Sequence, residues 1–305
     1  MKQSSVAAAW PKHTATTPSR TTDFLALTKP RLNLLVLITT LGGLYLAAPN
    51  GVPWLLLFHT LVGTALVAGG ASALNQVWER DTDGMMRRTQ TRPLPKGRLQ
   101  PSAVTRFGIL LSGAGLLQLA LGVNAAAAGV AWLTLASYVF VYTPLKRRTW
   151  LSTLVGAFPG ALPPIIGWAA ATGHIALPSL ALFAIVFVWQ MPHFLALAWL
   201  YRDDYARASL PILPVIDPDG RSTGRQALLY AIALVPVSLT PVLGGLASTP
   251  YVVVAVAAGI PFVGLSVVFA RELSTAAARR LFLASIMYLP VLWAALVANR
   301  LWLAR

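Results

Sequence analysis

Nine long apolar runs divide this chain, and no other feature limits its fold so tightly. They are Leu32–Ala48, Trp54–Leu74, Phe107–Val123, Ala126–Val141, Leu151–Ala171, Ala176–Leu200, Ala227–Leu246, Tyr251–Ala270 and Leu281–Asn299. About 20 apolar residues span the hydrocarbon core as a helix, because hydrocarbon offers the backbone no hydrogen-bond partner but itself. Only 11% of the 305 residues are charged, against about 25% in soluble domains. The predicted class is all-α: a polytopic membrane protein with nine transmembrane helices, embedded in the lipid bilayer. Residues 1–27 are read as an N-terminal tail and 28–305 as one transmembrane domain. The chain has no cysteine, which excludes disulfides, thiolate metal sites and a Cys nucleophile.

The charges alternate with the spans. Of the 24 Lys and Arg, only Arg300 and Arg305 fall on one side of the bilayer; the residues before span 1 and the loops after spans 2, 4, 6 and 8 hold the rest. All nine acids lie on that same richer side. The positive-inside rule puts the N-terminus in the cytoplasm and the C-terminus outside. It also accounts for the net charge of +15, so nucleic acid is not a partner on this reading. The first 22 residues lack acids and are rich in Ser, Thr and Ala. They are read as the tail of a bacterial inner-membrane protein. The alternative is a transit peptide and the mitochondrial inner membrane.

Chemistry concentrates just after span 2. Asn75, Glu79 and Asp83 are spaced four apart. If the helix continues past Leu74, they share one face. Three oxygen-bearing side chains there suit a hard cation such as Mg²⁺. Arg87, Arg88 and Arg92 follow at once. Carboxylates beside arginines point to a metal-bridged phosphate or diphosphate. The competing explanation is a charged, solvated loop, which accounts poorly for the ordered set.

Other stretches add to this. Lys146, Arg147 and Arg148 end span 4; they serve either as a topology signal or to hold a phosphate. Gly156 and Gly160 permit close helix packing in span 5, where Pro163 and Pro164 should break the helix. His193 lies deep within span 6. An intramembrane ionisable group is a functional candidate, the alternative being a histidine that ties two helices together. Asp203 and Asp204 lie about 16 Å further along a helix, at the inner mouth. A deep histidine and a shallow metal-phosphate site would suit a long amphiphilic substrate. The loops after spans 2 and 6 share a plan, acids with arginines, that hints at an internal duplication.

Together these residues resemble a known family. The pattern Asn75-Gln-x-x-Glu79-x-x-x-Asp83-x-x-Met86-x-Arg88-Thr-x-x-Arg92-Pro93 is joined by Tyr142-Thr-x-x-Lys146-Arg147, Trp189-Gln-Met-Pro-His193 and Tyr201-Arg-x-Asp204-Tyr205. It is similar to the protohaem IX farnesyltransferases, a branch of the UbiA superfamily of intramembrane prenyltransferases. The likeness runs from about Thr28 to the last span. It implies nine helices around a central cavity, Mg²⁺ as cofactor, and farnesyl diphosphate and haem B as substrates. The product would be haem O, with haem A synthase or a terminal oxidase as an assembly partner. Asn75, Glu79 and Asp83 would hold the metal-diphosphate. Arg88, Arg92 and Lys146, with Arg147 beside it, would bind diphosphate, and His193 would serve haem. Arg147 or Arg202 would orient the haem propionates. Many superfamily members carry a second acid pair spaced four apart. Here Leu200 stands four before Asp204, which leaves one metal ion or two open. A related transferase acting on another aromatic acceptor, such as a quinone precursor, is the rival enzyme. A transporter is disfavoured because His59 and His193 are the only titratable groups clearly within a span.

Overall fold

The computed structural model describes residues 19–303. Lys2, Lys12 and Arg305, counted above, lie outside them, as does most of the predicted tail. Among the described residues every regular element is helical. In chain order these are α1 (Arg20–Leu27), α2 (Pro30–Ala47), α3 (Trp54–Met85), α4 (Pro101–Gly122) and α5 (Ala125–Ala136). A π-helical turn (Ser137–Tyr142) leads into α6 (Thr143–Leu145), followed by α7 (Ser152–Ala161) and α8 (Pro163–Thr172). Then come α9 (Leu177–Leu200), the short α10 (Arg202–Arg207) and α11 (Leu213–Ile216), α12 (Arg221–Leu243), α13 (Thr249–Glu272) and α14 (Thr275–Leu303). Among the described residues, nine segments are long and apolar enough to cross a membrane, and each overlaps one predicted span. The protein is an integral membrane protein.

Two differences from the predicted edges bear on function. Span 2 does not stop at Leu74: α3 has 32 residues and is about 48 Å long, against about 30 Å of hydrocarbon. Its last three turns therefore stand beyond the apolar layer and carry the polar residues. The chain leaves the helix at Met86, whose backbone is extended, and Thr89 Oγ1 folds back to donate to the Asp83 carbonyl at 2.8 Å. The second difference is α1, which occupies part of the predicted tail. Its Asp23 accepts from Arg98 Nε and Nη2, each at 2.9 Å. Phe24 meets Phe107 edge-on at 5.0 Å. Burial of Leu27 beside Ala73 and Leu94 completes the anchor.

Lipid is as apolar as leucine, so helices associate here through close packing of small residues. α2 runs along α8, and α3 along α4. A Cβ at Gly43 would overlap the Pro164 carbonyl, and one at Gly167 the Thr40 carbonyl. Gly70 approaches the Gly108 backbone in the same way. The break expected at Pro163–Pro164 occurs, between α7 and α8. α9 packs against α7, α12 and α14, with α13 between α12 and α14. At the far end Arg300 donates to the Ala48 carbonyl and lies 4.4 Å from the Tyr45 ring, tying α14 to α2. Large apolar side chains such as Leu110, Leu229, Ile260 and Leu283 cover the lipid-facing exterior.

Candidate functional site

The protruding end of α3 supplies three buried acceptors on one face. Asn75, Glu79 and Asp83 are each 5% exposed or less. Each meets a different element. Asn75 Nδ2 donates to Thr143 Oγ1 at 3.0 Å, and its Oδ1 accepts from Lys29 Nζ at 3.2 Å. Glu79 Oε1 accepts from Lys146 Nζ at 2.9 Å. Asp83 Oδ2 accepts from Arg92 Nη1 at 2.7 Å, while its Oδ1 is buried with no partner. The helix continues through these polar residues because their side chains find partners across the bundle.

Each cation arrives by a local device. Thr143 and Lys146 are presented by the π-helical turn. Pro144 has no N–H to donate backward, and the Thr143 N–H instead bonds the Tyr138 carbonyl five residues earlier. Such turns are frequent at functional sites. Lys29 precedes Pro30 in a left-handed conformation, with φ at 48°. Arg92 lies in the loop after α3, whose turn at Met86 returns the chain toward Asp83.

Lys29, Arg92 and Lys146 thus face Glu79 and Asp83, and cations outnumber carboxylates. Burial, aided by the charges of Arg92 and Lys146, lowers the half-buried Lys29 ammonium from 10.5 to about 8. Burial works against the Lys146 ammonium too, but the Glu79 carboxylate reverses this and holds it above the ordinary lysine range.

The loop after span 6 braces this cluster. Asp204 is buried, and its two oxygens accept from the backbone N–H groups of Arg87 and Arg88, each at 3.3 Å. Arg207 pairs with it as well. Arg88 lies over the rings of Tyr201 and Tyr205 and donates to the Tyr205 hydroxyl at 2.9 Å. Met86 packs with Ala208, Leu210 and Ile212 beneath. The two loops that share a sequence plan are therefore in direct contact. An amide has one acceptor oxygen where a carboxylate has two, so Asp204→Asn leaves one of the two N–H groups facing a donor. The variant should insert normally but raise KM for a diphosphate substrate about tenfold, the scale of one charge-assisted hydrogen bond. Steady-state kinetics checks this, and an unchanged KM would contradict the bracing role.

Three candidates are not brought into the cluster. Asp203 is exposed and lies 3.9 Å from Arg202 across the surface. Arg147 is exposed and has no side-chain partner among the described residues. His193 lies apart, about 10 Å before the end of α9 by helical rise. Its Nδ1 is 2.8 Å from Ser285 Oγ of α14. Its ring is stacked on Trp189 at 4.9 Å and meets Phe282 at 4.9 Å.

Reasoning from sequence left Lys29, Thr143 and Ser285 without a role. Lys29 stood in the charge count alone; its position before a proline at the head of a span was the available signal. Thr143 and Ser285 are single hydroxyls in apolar surroundings, and only the packing brings them to their partners.

A hard cation favours oxygen ligands and tolerates ligands from a bound phosphate. Asn75, Glu79 and the orphaned Asp83 Oδ1 are such donors. Among the described residues no group of three or more His, Asp and Glu side chains could hold a metal alone. The donor set therefore fits an ion shared with a phosphate better than a closed protein cage.

Fold and site together define a polytopic membrane protein with a buried cluster of cations and acids at one end of its helices. Residues 36–302 match the UbiA prenyltransferase family, and the chain belongs to that family. It is 48% identical over 287 residues to "Protoheme IX farnesyltransferase" of Solibacter usitatus (strain Ellin6076), covering 91% of this chain and 98% of that one. It is 44% identical over 284 residues to the protein of the same name from Myxococcus xanthus (strain DK1622), covering 93% and 96%. Among solved structures, a digeranylgeranylglyceryl phosphate synthase superposes with a TM-score of 0.78 at 14% identity, covering 92% and 98%. A UbiA homolog from Archaeoglobus fulgidus bound to DMAPP and Mg²⁺ gives 0.65 at 13% identity, covering 90% and 99%. At such identities these two establish the fold.

Proposed function

We propose that this chain transfers the farnesyl group of farnesyl diphosphate to a vinyl group of protohaem IX (haem B), giving haem O and diphosphate. The observation that carries the reading is the convergence of Lys29, Arg92 and Lys146 on Asn75, Asp83 and Glu79 of α3, in a chain 48% identical to a protein named for this reaction. The prenyl chain would run from this cluster into the apolar bundle toward His193, where the porphyrin would lie.

The allylic C–O bond breaks with its electron pair going to diphosphate. Lys29, Arg92 and Lys146 are aimed at that growing charge, so they stabilise the transition state more than the ground state. Arg88, held by Tyr205 and the Asp204 brace, would supply a further guanidinium. The farnesyl cation is then attacked by the vinyl π-electrons, and water captures the resulting porphyrin-side cation, losing a proton. Apolar helix walls keep water from the farnesyl cation until the vinyl group has reacted. Asn75, Glu79 and Asp83 would hold Mg²⁺, which when bound neutralises diphosphate oxygens. Chelation by EDTA should therefore stop turnover, and added Mg²⁺ restore it.

The reading separates from its closest rival by acceptor choice. Labelled farnesyl diphosphate offered with haem B and an aromatic quinone precursor should yield labelled porphyrin only. Label in the quinone fraction would make the chain another kind of UbiA transferase. Haem A synthase or a terminal oxidase, as the next user of haem O, is the assembly partner this reading implies.

The pH response follows from Lys29. Its ammonium is the form that binds diphosphate, and its pKa in the free protein is about 8. Affinity for farnesyl diphosphate should fall as pH rises through about 8, since binding must then recover a proton. Lys29→Arg keeps the charge and should remove this fall. The sign for folding is opposite. A depressed lysine pKa means the fold disfavours the ammonium; that cost is full below pH 8 and fades toward 10.5. Binding assays between pH 7 and 9 check the first statement, and a flat profile in the unsubstituted protein would contradict it.

We place the protein in the bacterial inner membrane with the N-terminus cytoplasmic and the C-terminus outside. The charge asymmetry of the loops supports this. Reporters fused after Asn124 or His174 should read outside, and those after Gly97 or Gly220 cytoplasmic. Reversed reporters would put the diphosphate site on the wrong face.

A further inference from the structure

Two side chains one turn apart on α9 reach the same residue of α14. Trp189 Nε1 donates to the Ser285 carbonyl at 2.8 Å, and His193 Nδ1 lies 2.8 Å from Ser285 Oγ. Ser285 is fully buried, and its Oγ donates to the Phe282 carbonyl at 2.6 Å. A hydroxyl has one proton. With that proton committed to Phe282, Oγ can only accept from the imidazole. This arrangement assigns the ring proton to Nδ1 of His193 and the lone pair to Nε2.

We propose that Ser285 is a positioning residue that fixes this tautomer of His193 and turns its Nε2 toward the iron of the porphyrin acceptor. The inference rests on the reading of His193 as the haem-facing group. Nε2 makes no hydrogen bond among the described residues, and it is not one of the sealed, unpartnered polar atoms. The ring cannot rotate freely: Trp189 lies against it at 4.9 Å and 23°, and Phe282 at 4.9 Å and 31°. Histidine ligands commonly donate their other N–H to an acceptor that sets tautomer and orientation. That acceptor is often a carboxylate, which strengthens the ligand. A serine hydroxyl is uncharged and already polarised toward Phe282, so it orients the ring without making it strongly basic. A weak ligand suits a substrate whose iron must be released with the product.

The test uses purified protein in detergent with ferrous haem B, read by the iron–histidine stretch in resonance Raman spectra. Ser285→Ala should still bind haem but shift this band, and should lower kcat about tenfold, the scale of losing a ligand-orienting partner. KM for farnesyl diphosphate should hold. Ser285→Thr keeps the hydroxyl and should restore both band and rate. An unmoved band in Ser285→Ala overturns the proposal, whether or not Tm falls. If His193→Ala then abolishes the band, His193 keeps its haem role; if the band survives His193→Ala, that reading fails as well. Imidazole ¹⁵N NMR of the unsubstituted protein needs no variant to fold. It should find Nδ1 of His193 protonated and Nε2 not, and the opposite tautomer overturns the proposal.

Discussion

Asp83→Ala should lower haem O formation about a thousandfold, the upper scale for losing one charge-stabilising group at a reaction centre. Its carboxylate has one oxygen on Arg92 and one buried with no partner. Removal of both oxygens takes away one of the proposed metal donors and releases Arg92 from its fixed direction. The fold should survive. Arg92 is 29% exposed at its side chain and can turn to water, and α3 is held independently by Glu79, Asn75 and its glycine contacts with α4. Asp83→Asn is the sharper variant. It keeps an acceptor for Arg92 but loses the charge, so it should fold like the parent and still lose most activity. Near-normal turnover in Asp83→Asn would remove Asp83 from the metal-diphosphate site.

His193→Ala should lower haem O formation about a hundredfold, the scale of mispositioning a reacting partner. Farnesyl diphosphate binding should barely change, since among the described residues His193 bonds and stacks with Ser285, Trp189, Phe194 and Phe282 and with no residue of the cluster. A helix-tying role makes a different forecast. After removal of His193, Ser285 still donates to Phe282, and Trp189 still bonds the Ser285 carbonyl. The α9–α14 contact therefore loses about one hydrogen bond net, roughly 1 kcal/mol, and some ring stacking. Thermal stability should fall only slightly. Parallel loss of Tm, diphosphate binding and haem binding would make His193 structural.

The sequence carried the fold because lipid forces a simple rule on it. Nine apolar runs had to be nine helical spans, and the proline pair had to break one of them. Positions on α3 were legible for a similar reason, since a spacing of four has one meaning if the helix continues. The continuation itself was not legible. Polar residues at a membrane edge signal a loop as readily as a helix, and the decision falls to Lys29, Thr143, Lys146 and Arg92, which arrive from three separate segments. Asp204 illustrates the other gap. Its sequence position marks it as an acid at the inner mouth, but two of its partners are backbone N–H groups of a distant loop, which no side-chain pattern announces. Ser285 was invisible because only the packing of α14 on α9 brings its hydroxyl to His193.

The most direct test is product mass. Purified protein is incubated with haem B, farnesyl diphosphate and Mg²⁺, and the porphyrin fraction is analysed by mass spectrometry, with Asp83→Asn and His193→Ala alongside. The account predicts the hydroxyethylfarnesyl porphyrin, haem O, from the parent and almost none from either variant. Unmodified haem B from an active, folded preparation that still cleaves farnesyl diphosphate would contradict it.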